Sequence, residues 1–179
     1  TNVTGGQFEL STNPGVAVTS FTQVQLDANQ VVFVHDGNEA APSYDVTVTD
    51  GTLSDGPASA SITFTNVNDA PTVGTNTGAT VAEGGSVTLT STDLAAVDPD
   101  DSGAGLVYTV TSGPANGTVL LSGAATTTFT QADINAGLVS YQHDGGETTT
   151  DSLDFSVDDG QGTSTSATFN VNVTPANDE

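Results

Sequence analysis

The sequence predicts an all-β protein built as two tandem antiparallel sandwiches, the first of them incomplete. Three observations carry this. Apolar residues fall at alternate positions along short runs, the period-two signature of half-buried strands. The same ordered pattern occurs twice, about 109 residues apart. The intervening residues are mostly Thr, Ser, Gly and Asn, which suit strands and turns better than helices.

The repeat is read directly. Phe21-Thr22-Gln23 recurs as Phe129-Thr130-Gln131, a shift of 108 residues (129 − 21). At that shift Val31, Phe33, His35, Asp36, Gly37 and Glu39 match Val139, Tyr141, His143, Asp144, Gly145 and Glu147. One residue is then gained, and Asp45, Val46, Val48, Asp50 and Gly51 match Asp154, Phe155, Val157, Asp159 and Gly160. Asn68-Asp69 pairs with Asn177-Asp178 at the same shift of 109. The period is that of an immunoglobulin-sized sandwich and far exceeds a solenoid repeat. The expected domains are therefore a partial repeat over 1–69 and a complete one over 70–179. The first begins at a segment matching Gly117 onward and lacks counterparts of Val81 to Thr111, two or three strands. The chain reads as a window of a longer exported polypeptide, or as one whose missing strands another chain supplies.

In the complete copy, alternation places strands near 79–82, 86–91, 105–112, 117–122, 125–129, 138–143, 151–158 and 164–174. One helical turn is expected at Gln131–Asn135. Thr130 is placed to cap it, Asp133 follows three residues on, and Gly137 can end it with positive φ. Asp50-Gly51, Asp55-Gly56, Asp144-Gly145-Gly146 and Asp159-Gly160 mark turns.

Charge excludes several functions. Twenty-two acidic residues face no Lys or Arg, giving a formal charge of −22. Nothing can neutralise phosphates, so nucleic acid is not a partner, and an anionic membrane surface is disfavoured for the same reason. No run of apolar residues is long enough for membrane insertion. With no Cys there is no disulfide, thiolate zinc site or cysteine nucleophile. Bound cations are the remaining means of screening the carboxylates and of stapling a disulfide-free extracellular domain.

The run from Phe129-Thr130-Gln131-Ala132-Asp133-Ile134 through Tyr141-Gln142-His143-Asp144-Gly145, followed by Asp151-Ser152-Leu153-Asp154-Phe155-Ser156-Val157-Asp158-Asp159-Gly160, resembles the chondroitin-sulfate-proteoglycan-type repeat. The resemblance covers the whole second copy and what exists of the first. It implies a cadherin-like β-sandwich, as found in giant RTX-type bacterial adhesins and in some animal matrix proteins. It also implies calcium at the joints between repeats. For the first joint the implied ligands are Asp36 and Glu39 as basal acids, Asn66, Asn68 and Asp69 in the linker, Asp98 and Asp100 as the Asp-x-Asp, and Asp158 and Asp159 closing the far side. Asn66 stands where cadherin linkers begin with Asp. For a second, incomplete joint the implied set is Glu83, Asp144, Glu147, Asn177 and Asp178.

Calcium suits this donor set, because it takes six to eight hard oxygens from carboxylates, amides and main-chain carbonyls. Magnesium fits less well, since it prefers few protein ligands and strict octahedral geometry. For any single Asp a solvated acidic surface is the simpler account; the constellation is what points to an ion. His35 and His143, one per repeat, read as turn histidines bonded to backbone rather than as a zinc site. Paired carboxylates at Asp100-Asp101 or Asp158-Asp159 sit in turn motifs that calcium explains better than glycoside hydrolysis does. No Gly-x-Ser-x-Gly is present, so no enzyme is expected. Asn2-Val3-Thr4, Asn116-Gly117-Thr118 and Asn172-Val173-Thr174 match the glycosylation acceptor pattern, as chance allows in so Asn- and Thr-rich a chain.

The expected role is a calcium-stiffened structural and adhesive segment of a large extracellular bacterial surface protein, acting in cell adhesion or biofilm. Its partners are neighbouring repeats of the same polypeptide or other copies of the chain, with surface glycans a further class. One alternative is a segment of an extracellular filament completed by strands from other chains. The other, a carbohydrate-binding module, is disfavoured by the absence of Trp and the few aromatics, three Tyr and seven Phe.

Overall fold

The computed structural model describes residues 2–60 and 62–177. The chain divides into two compact units, 1–67 and 68–179.

The first unit contains β1 (Val3–Thr4), β2 (Gly6–Leu10), β3 (Asn13–Ala17), α1 (Gln23–Asp27), β4 (Val31–His35), β5 (Ser43–Thr49) and β6 (Ser54–Ser59). These form two antiparallel three-stranded sheets, ordered β3-β2-β4 and β1-β5-β6. Phe8 lies at the centre, with ring centroids 5.4, 5.3 and 4.7 Å from those of Phe21, Phe33 and Tyr44.

The second unit contains β7 (Thr72–Asn76), β8 (Ala79–Ala82), β9 (Ser86–Thr88), β10 (Leu94–Val97), β11 (Val107–Ser112), β12 (Gly117–Leu121), β13 (Ala124–Ala125), β14 (Thr128–Thr130), α2 (Gln131–Asn135), β15 (Val139–His143), β16 (Thr150–Asp158) and β17 (Ser164–Thr174). A five-stranded sheet, β14-β11-β16-β17-β8, and a four-stranded sheet, β13-β12-β15-β9, enclose the core, and β10 pairs with β7 apart from both. Pairing is antiparallel except between β17 and β8. Leu153, Phe155 and Val157 of β16 and Phe169, Val171 and Val173 of β17 are buried beside Tyr108, Tyr141 and Leu89. The all-β sandwich expected from alternation is present.

The structure redraws the strands in three places. The strand expected over 125–129 is two short ones, because the chain changes sheets there: β13 pairs with β12 and β14 with β11. The strand expected to run to residue 91 stops at Thr88, where Thr90 opens a tight turn closed by Asp93 Oδ2 accepting Thr90 N at 2.9 Å. β7 and β10 have no clear alternation to announce them; Thr-Val-Gly-Thr-Asn and Leu-Ala-Ala-Val are weak strand formers that hold through pairing with each other.

Both helical turns carry a capping box. Thr130 accepts from the Asp133 amide and Asp133 accepts from the Thr130 amide; Thr22 and Gln25 do the same in the first unit. Gly137 at φ 68° ends α2, and Asn29 at φ 54° occupies the matching place after α1.

The repeats differ in how well their equivalent apolar residues are covered. Ile134 and Val157 are 1% and 0% exposed, whereas their counterparts Leu26 and Val48 are 45% and 68% exposed. In the second unit that cover comes from residues 79–110, including Leu89, Leu94, Leu106 and Tyr108. Among the described residues of the first unit nothing stands for those strands, which leaves an open cleft of 310 Å³ lined by Phe8, Phe21, Leu26, Val31, Phe33 and Tyr44, among others.

Candidate metal centre

The second unit presents acidic residues at both ends of its long strands. β16 runs from Thr150 to Asp158, and Asp159 follows it into the turn before β17. The Asx-type turn after β10 carries Asp98-Pro99-Asp100, and Asn68-Asp69 leads the chain into β7. Register brings these stretches together: Val97 pairs with Thr72, so the residues just after the one and just before the other are neighbours.

Hydrogen bonds fix this end closely. Asn68 Nδ2 donates to Asp159 Oδ2 at 2.7 Å, to the Asp69 carbonyl at 3.0 Å and to Thr163 Oγ1 at 3.4 Å. Thr163 Oγ1 also donates to Asp159 Oδ2, and Gln161 N to Asp159 Oδ1, both at 2.7 Å. The Asn68 amide, then the Thr163 hydroxyl and the Gln161 N–H, hold the Asp159 carboxyl down at about 2, so it is charged at any ordinary pH. Asp69 N donates to Asp100 Oδ2 at 2.7 Å. Asp98 Oδ1 accepts from Asp100 N at 2.8 Å and from Asp101 N at 3.0 Å. Asp98 and Asp69 line one open cleft of 480 Å³.

Two oxygens here have no donor. Asn68 Oδ1 and Asp98 Oδ2 are both buried and neither accepts a hydrogen bond. A buried acceptor left unpaired costs on the order of 1–3 kcal/mol, so each such atom calls for an explanation. The Asn68 nitrogen is committed to Asp159, so its oxygen cannot be exchanged for a donor by an amide flip. An amide oxygen and a carboxylate oxygen are donors that calcium accepts.

The other expected residues are placed as follows. Asp158 turns back on its own loop, with Oδ1 accepting Gly160 N at 2.7 Å. In the first unit, Asp36 and Glu39 lie in the turn after β4, where Asp36 Oδ1 accepts Asn38 N at 3.1 Å, and Asn66 lies in the non-strand stretch that follows β6. At the opposite end of the second unit, Glu83 follows β8 and its Oε2 accepts Ala176 N at 2.9 Å. Asp144 and Glu147 share the turn after β15, and Gly84 of the Glu83 turn approaches Gly145 of that turn. Asn177 sits just after β17, and Asp178 lies outside the described residues. Among the described residues no three His, Asp or Glu side chains converge as a ready metal cage. The donors that do gather are a mixed set of Asn and Asp oxygens.

Two buried polar clusters were not foreseen. Gln131 Oε1 accepts Ala96 N at 2.8 Å and the Tyr108 hydroxyl at 2.6 Å, deep in the core. Asp151, 8% exposed, accepts from Ala115 N and Asn116 N at 3.0 Å and from the Tyr141 hydroxyl at 2.7 Å. Burial works to raise the Asp151 carboxyl, but these donors and Ser152 N outweigh it and hold it below the ordinary range. The same burial, with the Asp151 charge beside it, pushes the Tyr141 hydroxyl well up. No helix among the described residues is long and apolar enough to cross a membrane.

Comparison with known proteins bears on the family of the chain. The profile of a family described as cadherin-like matches residues 1–64 and 71–173. The chain is 37% identical over 161 residues to extracellular matrix protein 3 of Lytechinus variegatus, covering 88% of this chain and 5% of the relative. It is 33% identical over 162 residues to the human extracellular matrix organizing protein FRAS1, covering 87% and 4%. It is 32% identical over 149 residues to mouse chondroitin sulfate proteoglycan 4, covering 80% and 6%. The chain thus spans about one-twentieth of the length of the curated relatives it matches.

Proposed function

We propose, for a chain that belongs to the cadherin-like family and is extracellular like its matrix-protein relatives, that it is a calcium-stiffened structural and adhesive segment. It performs no catalysis in this reading. One observation carries the calcium: Asn68 Oδ1 and Asp98 Oδ2 are buried without donors at an end already lined by Asp69, Asp100 and Asp159. The ion, when bound, supplies positive charge in a chain that has no Lys or Arg to supply it.

The chain's own residues do the rest. Asn68 and Thr163 keep Asp159 ionised and oriented, and Asp98 Oδ1 locks the Asp100 and Asp101 amides so that its other oxygen stays available. Calcium takes six to eight oxygens, and Asn68, Asp69, Asp98, Asp100 and Asp159 supply part of such a shell at this end. Sharing an ion turns repulsion between acidic neighbours into restraint, which is how a string of such repeats extends and stiffens. The finer placement, in a large bacterial surface adhesin acting in adhesion or biofilm, rests on the resemblance of the repeat to those of giant RTX-type bacterial adhesins. The partners are then neighbouring repeats or other copies of the chain.

A calcium titration by calorimetry tests the reading. Binding is expected at about 10⁻⁴–10⁻³ M, the range of extracellular modules. It should weaken clearly in Asn68→Ala; a wild-type chain that takes up no calcium at millimolar concentration contradicts the proposal.

A second reading has its own observation. The uncovered face of the first unit, with Leu26 45% and Val48 68% exposed, fits a filament in which an extended segment from another chain completes the sandwich. Concentration-dependent assembly in scattering experiments supports that reading, and a monomer at every concentration removes it. The glycan-binding alternative gains no support, since the large exposed apolar side chains among the described residues are all Val and Leu.

A further inference from the structure

Among the described residues of the first unit, one edge of β5 is only partly paired. In the second unit β16, which matches β5 in the repeat, pairs along that edge with β11, with Tyr108 opposite Val157 and Val110 opposite Phe155. The counterparts of Val157 and Phe155 are Val48 and Val46. In the first unit β1 reaches this edge at Ser43 and Tyr44, and no described strand pairs with it at Val46–Thr49. Asp45 N faces the edge, donating to the Asn2 carbonyl at 3.0 Å, so the Thr47 and Thr49 amides, two and four residues on, face it too.

The second unit shows what such an edge takes. Tyr108 is fully buried, its ring 5.0 Å from Phe129 and 5.5 Å from Phe155, and its hydroxyl donates to Gln131 Oε1 at 2.6 Å. The matching residues of the first unit are Phe21, Val46 and Gln23. Phe21 and Val46 line the open cleft. Gln23 is held as Gln131 is: Gln131 Nε2 donates to Asn135 Oδ1 at 3.0 Å, and Gln23 Nε2 donates to Asp27 Oδ1 at 2.7 Å. With its nitrogen committed, what Gln23 offers is an acceptor. Gln131 is buried and Gln23 is exposed.

Charge decides between occupants. Residues 104–112, which include β11, contain no acid, whereas β5 carries Asp45 and leads into Asp50. Two copies of β5 laid edge to edge would set acidic strands together in a chain of charge −22, and an uncharged strand avoids that. We propose that the first unit captures an uncharged extended strand of Leu-x-Tyr-x-Val type from another polypeptide. The strand lies antiparallel on β5, with its tyrosine in the cleft and the tyrosine hydroxyl on Gln23. The inference rests on the second reading above, in which a segment of another chain completes the sandwich. Bonds to the Thr47 and Thr49 amides hold any strand, and the alternate side chains choose which one.

A synthetic peptide with the sequence of residues 104–112, titrated into the full chain and followed by NMR, tests this. Saturable shifts are expected at the Thr47 and Thr49 amides and at the Gln23 side-chain amide. Tyr108→Phe in the peptide, or Gln23→Ala in the chain, should each weaken binding about fivefold, the loss typical of one hydrogen bond. Together they should weaken it no further, because both remove the same bond. Gln23 is exposed, so its replacement costs the fold little. A peptide that binds without shifting these groups, or equally well after either substitution, overturns the proposal. If the chain assembles by itself with rising concentration but ignores the peptide, the filament reading stands and this occupant is wrong. If it neither assembles nor takes the peptide, both fall.

Discussion

At Asn68 one side chain holds a carboxylate with its nitrogen and leaves a buried oxygen without a donor. Asn68→Asp would set two carboxylates against each other at the 2.7 Å now spanned by a hydrogen bond. The variant should therefore melt lower than wild type in chelator and gain more from added calcium, as paired melting curves will show. Asp151 makes the opposite case, a carboxylate already satisfied by protein donors. Asp151→Ala leaves Ala115 N, Asn116 N and the Tyr141 hydroxyl unpaired and should cost about 2–4 kcal/mol in urea unfolding, with calcium affinity unchanged. The difference between these residues also explains what was legible in the sequence. Asn68, Asp69 and Asp159 stood out because their motif recurs or sits in a linker, Asp98 and Asp100 because they resemble a cadherin Asp-x-Asp, and the structure gathers them at one end. Asp151 and Gln131 did not, because a lone Asp opening a strand and a Gln after a helix cap look solvated. Only the fold shows that Tyr141 and Tyr108 reach them.

The turns and short helices were the most readable elements, since their chemistry is local. Thr130 with Asp133, ended by Gly137, marks one helical turn by local sequence alone, and Thr130→Ala should cost about 1 kcal/mol. β7 and β10 were silent for the complementary reason, as their strand character comes from pairing and not from pattern. β12 begins at a glycine for a steric reason. A Cβ on Gly117 would strike the Tyr141 hydroxyl and come within 2.6 Å of the Gln142 carbonyl. Gly117→Ala should force β12 away from β15 and cost on the order of 1–3 kcal/mol, the usual range for overpacking. Loss of melting temperature without loss of the far-UV strand signal is the expected record.

The charge of −22 belongs to the whole molecule and sets how stability responds to pH and ions. Lowering pH from 7 toward 4 at low salt relieves self-repulsion and should raise the melting temperature. Below that the sign reverses. Asp159, and Asp50 in the first unit, are held at about 2, the former chiefly by Asn68 and the latter chiefly by the Leu53 and Thr52 amides. A carboxyl lowered in the folded state stabilises above its ordinary value near 3.8, and that stability drains away as pH falls through about 2. The melting temperature should accordingly peak near pH 4, and a monotonic rise down to pH 2 would argue that these bonds are absent in solution. Calcium acts on the same charge from the other side. The most direct test of the central claim is the melting curve of the full chain in chelator and in about 10 mM calcium. With a dissociation constant of about 10⁻⁴–10⁻³ M, binding adds roughly 1.4–2.7 kcal/mol, which is roughly 5 °C or more for a domain of this size. Coincident curves in calcium and in chelator would contradict a calcium-filled end, and with it the proposed function.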